Sequence, residues 1–159
     1  MSAWPWHDAG RWAALLRGDE CPLCQTPAAE AHVCDLAFSR VIAPERACLA
    51  GYVCLIARRH VVEWRDLSAD DGAALMSEIR RVSAAVADLT SATKMNILSL
   101  GNVVPHLHTH ICPRRPNDRF EGRALDPGDV DRVYTDDTHT VFVAALRQRL
   151  AAASSWRRR

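Results

Sequence analysis

Asn102-Val103-Val104-Pro105-His106-Leu107-His108-Thr109-His110-Ile111-Cys112-Pro113 is the stretch on which the reading of this chain turns. Three histidines alternate with Leu107 and Thr109. Side chains that alternate with period two mark a β-strand, whose successive residues face opposite sides. So read, His106, His108 and His110 share one face, while Leu107, Thr109 and Ile111 share the other. Pro105 and Pro113 bracket the run, which suits a short strand because proline cannot donate into a ladder. A row of imidazoles on one rigid face calls for a metal or an anion in front of it. Three readings stay open on the residues alone. They are unrelated surface histidines, a three-histidine metal site, and a nucleophilic imidazole fixed through one ring nitrogen.

The rest of the chain bounds these readings. With 159 residues and 48% hydrophobic content it holds one domain with a real core. Twenty basic residues against 19 acidic ones leave a net charge of +1, which argues against nucleic-acid binding through bulk charge. No apolar run approaches the ~20 residues of a membrane span. The start, Met1-Ser2-Ala3-Trp4-Pro5-Trp6, does not read as a secretory signal, so the expected location is cytoplasmic. Six cysteines in that compartment read as thiols or metal ligands.

In chain order, Asp8 to Arg17 reads as a short amphipathic helix with Trp12, Leu15 and Leu16 on one face and Gly18 as its stop. Cys21-Pro22-Leu23-Cys24 is a CxxC, open to three readings: ordinary cysteines, a redox dithiol or a zinc knuckle completed by histidines. Cys34, Cys48, Cys54 and Cys112 lie in apolar runs and read as small core residues. Val33–Ala43 and Ala47–Ala57 read as strands joined by the turn Pro44-Glu45-Arg46, with Arg58-Arg59-His60 after the second. Ser68 reads as the N-cap of a long helix running to about Thr90, with Asp71 at its third position. Leu75, Ile79, Val82 and Val86 form its buried stripe, with Glu78, Arg80 and Arg81 facing water. Lys94 to Leu100 reads as a strand, turning at Gly101-Asn102 into the histidine strand as a hairpin. Arg114 to Asp129 reads as a polar loop. Thr138 to Ala153 reads as a last helix with Val141, Phe142, Ala145, Leu146 and Leu150 on one face, before a solvated tail at Arg157–Arg159.

With these elements in place the chain resembles the histidine-triad (HIT) superfamily, over about residues 20 to 120. The motif His106-Leu107-His108-Thr109-His110-Ile111-Cys112 is similar to the family's His-x-His-x-His followed by apolar residues. Asn96, the pair Gly101-Asn102, and the segment Gly51 to His60 ending in a basic pair and His also match. The resemblance implies an α+β HIT-like fold with an antiparallel sheet, one long helix and a C-terminal helix, as a single domain over 1–159. It implies a hydrolase of dinucleoside polyphosphates or nucleotide conjugates. His108 would attack the α-phosphate to form a nucleotidyl-histidine, and His110 would donate to a phosphate oxygen or assist the leaving group. Asn96, Gly101 and Asn102 would hold the phosphate and ribose of a purine nucleotide, with apolar residues such as Phe38, Val41 and Ile42 around the base. Alternatives in the same setting are a nucleotidyltransferase or phosphorylase, and a nucleotide-binding sensor without catalysis.

The resemblance further implies a structural zinc held by Cys21, Cys24, His60 and His106, as in HIT variants with a CxxC, and a homodimer. Partners other than nucleotides, namely nucleic acid and membrane, are not expected. The chain departs from the family pattern at Val103, where many relatives carry a hydroxyl near phosphate. The loop before Gly101 is a residue shorter than in the commonest branch, and Pro44-Glu45-Arg46 replaces a proline-rich turn. Pro105 directly precedes the triad. Arg114-Arg115 follow it and suit a polyphosphate leaving group.

Overall fold

A computed structural model describes residues 4–25, 27–135 and 137–155, with side chains up to residue 152. The Arg157–Arg159 tail lies outside them. Among the described residues three α-helices, α1 (Ala9–Arg17), α2 (Ala69–Thr90) and α3 (Thr138–Ser155), accompany seven strands. These are β1 (His32–Asp35), β2 (Ser39–Ile42), β3 (Arg46–Ala47), β4 (Val53–Ala57), β5 (Lys94–Leu98), β6 (His108–Arg114) and β7 (Asp131–Arg132). Five strands form one antiparallel sheet in the order β1-β2-β4-β6-β5, and β3 pairs with β7 apart from it. The expected α+β architecture is the one observed. Among the described residues no helix is long and apolar enough to cross a membrane.

Local chemistry sets the helix ends. Asp8 caps α1 by accepting from the Arg11 N–H, and Gly18 ends it in the left-handed region at φ 88°. Ser68 caps α2 by accepting from the Asp71 N–H, and Asp71 in turn accepts from Arg59 at 2.5 Å. The central strand β4 is buried on both faces, and its period of two sorts two cores. Val53, Leu55 and Ala57 join Leu75, Ile79, Val82 and Val86 of α2 and Leu146 and Leu150 of α3. Cys54 and Ile56 join Cys48, Tyr52, Cys112 and Phe120 on the other side. Leu107, Thr109 and Ile111 point into the first core, as their alternation predicted. Thr109 Oγ1 has no partner there.

Several expectations need correction. Val33–Ala43 is a hairpin of β1 and β2, closed by the Leu36 N–H donating to the Ser39 carbonyl at 2.8 Å. Ala47–Ala57 is broken after β3, because Gly51 turns at φ 88° and lies against Thr90, whose Cγ2 would sit 2.5 Å from any Cβ there. β5 and β6 are adjacent and antiparallel, but residues 99–107 connect them rather than a tight turn. His106 precedes β6, because its N–H donates to the Val104 carbonyl at 2.9 Å in a local turn behind Pro105. Pro113 lies inside β6. Beyond Ile111 that strand has a neighbour only on the β5 side, so a missing N–H is tolerated on its open side. In α3, Val141 is 65% exposed and Val143 takes its place in the buried stripe with Leu146 and Leu150; on α1 only Leu15 is buried and Leu16 is exposed.

The largest correction is Glu78. It does not face water but is 7% exposed. Its carboxylate accepts from the Phe38 N–H at 2.8 Å, the Ser39 N–H at 2.9 Å and the Ser39 hydroxyl at 2.6 Å. A buried carboxylate is tolerated when several donors satisfy it, and here they stitch α2 to the β1–β2 hairpin. Arg81 also turns inward, donating to the Leu150 carbonyl on α3. A Glu78→Gln variant keeps the shape but turns an NH2 group toward donors. It should lose about 2 kcal/mol of unfolding free energy in urea titration; an unchanged midpoint would show that the stitch contributes nothing.

Candidate active site and metal cluster

β6 sets the two inner histidines. His108 and His110 are two apart on one strand, so they project to the same face, with ring centroids 4.8 Å apart and planes at 81°. The His108 Nδ1 lies 2.6 Å from the His106 carbonyl oxygen. A carbonyl only accepts, so the proton is on Nδ1 and the lone pair is on Nε2. Burial pulls the His108 pKa below its ordinary value, against the opposing pull of that hydrogen bond. Burial likewise pushes His110 down to about 4; nearby His108 adds to this and Asp126 opposes it. Both rings are therefore neutral near pH 7. His110 Nδ1 lies 2.7 Å from the Tyr52 hydroxyl.

Both histidines line a cavity of about 480 Å³, within the range of small-ligand sites. Gly101 and Asn102 line it too, as does Val103, so the connection between β5 and β6 forms one wall. Ile42 lines it, but Phe38 and Val41 do not and belong to the helix-side core. Val41 and Ile42 are neighbours on one strand and must face opposite ways, so only one of them can reach the cavity. Asn96 shares the histidine face, but is absent from the cavity wall and accepts from Arg114 Nη1 at 2.9 Å. Arg114 also grips Asp118 at 2.6 and 2.9 Å, while Arg115 donates to the carbonyls of Thr90 and Ala50. Arg114 thus braces the loop after β6, Arg115 ties the end of that strand to α2 and to the turn before β4, and neither lines the cavity, which removes them as a polyphosphate clamp.

Sequence reasoning missed Tyr52, Asp126 and Trp4 as cavity residues. Tyr52 lay in a strand-like apolar run and Asp126 in a polar loop. Trp4 stacks on Trp6 at 4.9 Å, and the edge of Trp6 meets Trp12 on α1. The recurrence of tryptophan at positions 4, 6 and 12 is the signal that could have found Trp4.

His106 is turned away from its two companions. It is 1% exposed and meets the CxxC and His60. Its Nδ1 lies 3.3 Å from Cys21 Sγ, 3.5 Å from Cys24 Sγ and 3.3 Å from His60 Nδ1, and His60 Nδ1 lies 3.4 Å from Cys24 Sγ. A tetrahedral ion with bonds of about 2.0–2.3 Å spaces its ligand atoms about 3.3–3.8 Å apart. The tautomers agree with that fit. His106 Nε2–H donates to the Ala57 carbonyl at 2.8 Å and His60 Nε2–H to the Leu16 carbonyl at 3.0 Å. Each Nδ1 therefore directs a bare lone pair at the other, an arrangement that is repulsive without a cation between them. Burial and the Cys21 thiol push Cys24 up to about 11, so two thiolates there also need a positive charge. The four residues could hold a metal ion, in the grouping that the resemblance implies.

The comparisons with known proteins agree with this geometry. A HIT domain family model matches residues 30–117. The asymmetrical bis(5'-nucleosyl)-tetraphosphatase of Schizosaccharomyces pombe is 33% identical over 78 residues, covering 46% of this chain and 43% of that protein. The match thus spans less than half the length of that curated relative. A histidine triad protein from Bradyrhizobium japonicum superposes with a TM-score of 0.67 at 34% identity, over 79% of this chain and 98% of that one. A zinc-bound histidine triad family protein from Mycobacterium smegmatis shares the fold, with a TM-score of 0.61 at 23% identity over 91% and 94% of the two chains.

Metal analysis of the purified protein should find about one transition-metal ion per chain. The double variant Cys21→Ser/Cys24→Ser should carry none and should melt at a lower temperature. Full metal content in that variant would place the ion elsewhere.

Proposed function

The chain belongs to the HIT domain family, and on that premise we propose that it is a nucleotide hydrolase that works through His108. Its substrates are dinucleoside polyphosphates or nucleotide conjugates, attacked at the α-phosphate. The observation that carries this reading is the His108 Nδ1–H bond to the His106 carbonyl, which leaves the Nε2 lone pair for the cavity that His108 lines. A neutral, desolvated imidazole with its other nitrogen fixed is a competent nucleophile. His108 Nε2 forms a bond to phosphorus while the bond to the leaving oxygen breaks. Water then attacks phosphorus, the electron pair of the P–N bond returns to Nε2, and the proton of the water leaves to solvent. His110 supplies a donor beside the reacting oxygens, while Gly101 and Asn102 hold phosphate and ribose. Catalysis of this kind is mostly positioning and charge stabilisation. The tetraphosphatase relative supports a polyphosphate substrate.

Zinc is the proposed occupant of the Cys21, Cys24, His60 and His106 cluster. Two thiolates and two imidazoles close a tetrahedron, which makes the ion structural rather than catalytic. The M. smegmatis neighbour, described as zinc-bound, supports the choice of metal. When bound, zinc supplies only a fixed positive charge that holds the ring of His106. His106 then presents its carbonyl to His108 and takes no part in proton transfer.

We propose a cytoplasmic location, where its six cysteines, none of them in a disulfide, would stay reduced, and a homodimer. β5 ends the sheet with one unpaired edge, and Ile97 on it is 49% exposed. Two such edges side by side would continue the sheet and cover that residue.

Replacing His108 with Ala should lower turnover of diadenosine tetraphosphate at least 1,000-fold while the circular dichroism spectrum stays unchanged; residual activity near wild type would reject the nucleophile. Light scattering of the purified protein should give twice the mass of one chain, and a monomer would reject the dimer.

A further inference from the structure

His110 is held from behind by a phenol. The Tyr52 hydroxyl lies 2.7 Å from His110 Nδ1, and Tyr52 is only 8% exposed. Its place just ahead of β4 puts it under the paired residues Cys54 and His110. Which group donates follows from the chemistry. Burial raises the phenol far above its ordinary pKa, so it keeps its proton, and His110 is neutral. Between a neutral phenol and a neutral imidazole, the O–H is the more acidic donor and the ring nitrogen the better acceptor. The neighbouring Cys54 thiol, pushed up to about 12 by burial, stays protonated and offers no thiolate to compete for that O–H. With Nδ1 accepting, the one ring proton of His110 is on Nε2. His108 has the opposite assignment, with its Nδ1–H on a carbonyl. The site therefore offers one lone pair and one N–H from adjacent rings.

We propose that Tyr52 is a positioning residue that locks His110 as a neutral Nε2–H donor, and that this lock restricts the site to phosphate anhydrides over phosphoramidates and alkyl esters. The proposal rests on the hydrolase reading above. As His108 Nε2 bonds to the α-phosphorus, the bond to the leaving oxygen breaks and its electron pair stays on that oxygen. His110 donates a hydrogen bond to the oxygen and keeps its proton. Surrendering it would create an imidazolate against a phenol that burial keeps from ionising. A leaving phosphate, with a pKa of about 6, departs as an anion and needs no proton. An amine or an alkoxide does need one, and this pair of rings has none to give. Preference for an anhydride thus comes from a tautomer and not from a cationic clamp, since Arg114 and Arg115 are committed elsewhere.

The test reads the tautomer and the chemistry separately. In 15N-histidine NMR spectra between pH 6 and 8, the His110 signals are identified by their loss in His110→Asn. They should show Nε2 protonated and Nδ1 accepting, and Tyr52→Phe should move the ring toward a mixture of tautomers. A wild-type proton on Nδ1, or no change in Tyr52→Phe, overturns the lock. In steady-state assays, kcat/KM for diadenosine tetraphosphate should exceed that for adenosine 5'-phosphoramidate at least 100-fold. Tyr52→Phe should lower kcat on the tetraphosphate about tenfold with KM unchanged. Comparable rates on the two substrates overturn the restriction. Turnover of neither would defeat the hydrolase reading instead, while the spectra would still decide the tautomer; the wild-type spectrum suffices if Tyr52→Phe fails to fold.

Discussion

One imidazole and its own carbonyl tie the molecule together. His106 Nε2–H is spent on the Ala57 carbonyl at the end of β4, its Nδ1 faces two thiols and a second imidazole, and its carbonyl receives the proton of His108. The magnitudes rank these ties. A single hydrogen bond contributes about 1 kcal/mol, whereas a closed Cys2His2 metal site contributes about 10 kcal/mol or more to folding. The N-terminal segment buries few side chains besides Leu15 and Cys21, so hydrophobic burial does little to fix it. The proposed coordination would be the term large enough to hold α1 and the CxxC against the sheet, and it would act on the same residue that orients His108, the proposed nucleophile.

What could be read from the sequence was what is encoded over a few neighbouring positions. The caps at Asp8, Ser68 and Gly18 and the stripe Leu75, Ile79, Val82 and Val86 announce their helices through contacts within the helix or just beyond it. The alternation around His108 and His110 announces a strand in the same way. Glu78 was misread because the N–H groups that satisfy it are about 40 residues away on a hairpin tip. On spacing alone it sits on a polar helix face. Val141 was misread because the inward stripe of α3 runs through Val143, Leu146 and Leu150 at spacings of three and four, and Val141 lies off it.

The site divides along the same line. The CxxC and the two inner histidines were legible as residue types in a pattern, whereas the grouping of Cys21 and Cys24 with His60 and His106 came only from the resemblance; the fold brings those four side chains together. The geometry that separates His106 from its companions was not legible, because the His-x-His-x-His alternation runs on through a local turn that the backbone makes behind Pro105. Arg114 and Arg115 looked like anion binders by proximity in sequence, yet carbonyls and Asp118 satisfy them. Tyr52 carried no polar signal at all, since a tyrosine in an apolar run reads as core. Its function depends on a 2.7 Å contact to a strand two neighbours away in the order of the chain.

Gly18 joins two roles in one small residue. It ends α1 in a conformation that side chains rarely adopt, and a Cβ at that position would stand 3.1 Å from the ring of His60. The Cys21 N–H donates to the Gly18 carbonyl at 3.3 Å, so one turn sets the distance from the end of α1 to the first thiol, and a side chain at Gly18 would press on the His60 ring. Insertions should therefore be rare between the end of α1 and the first thiol.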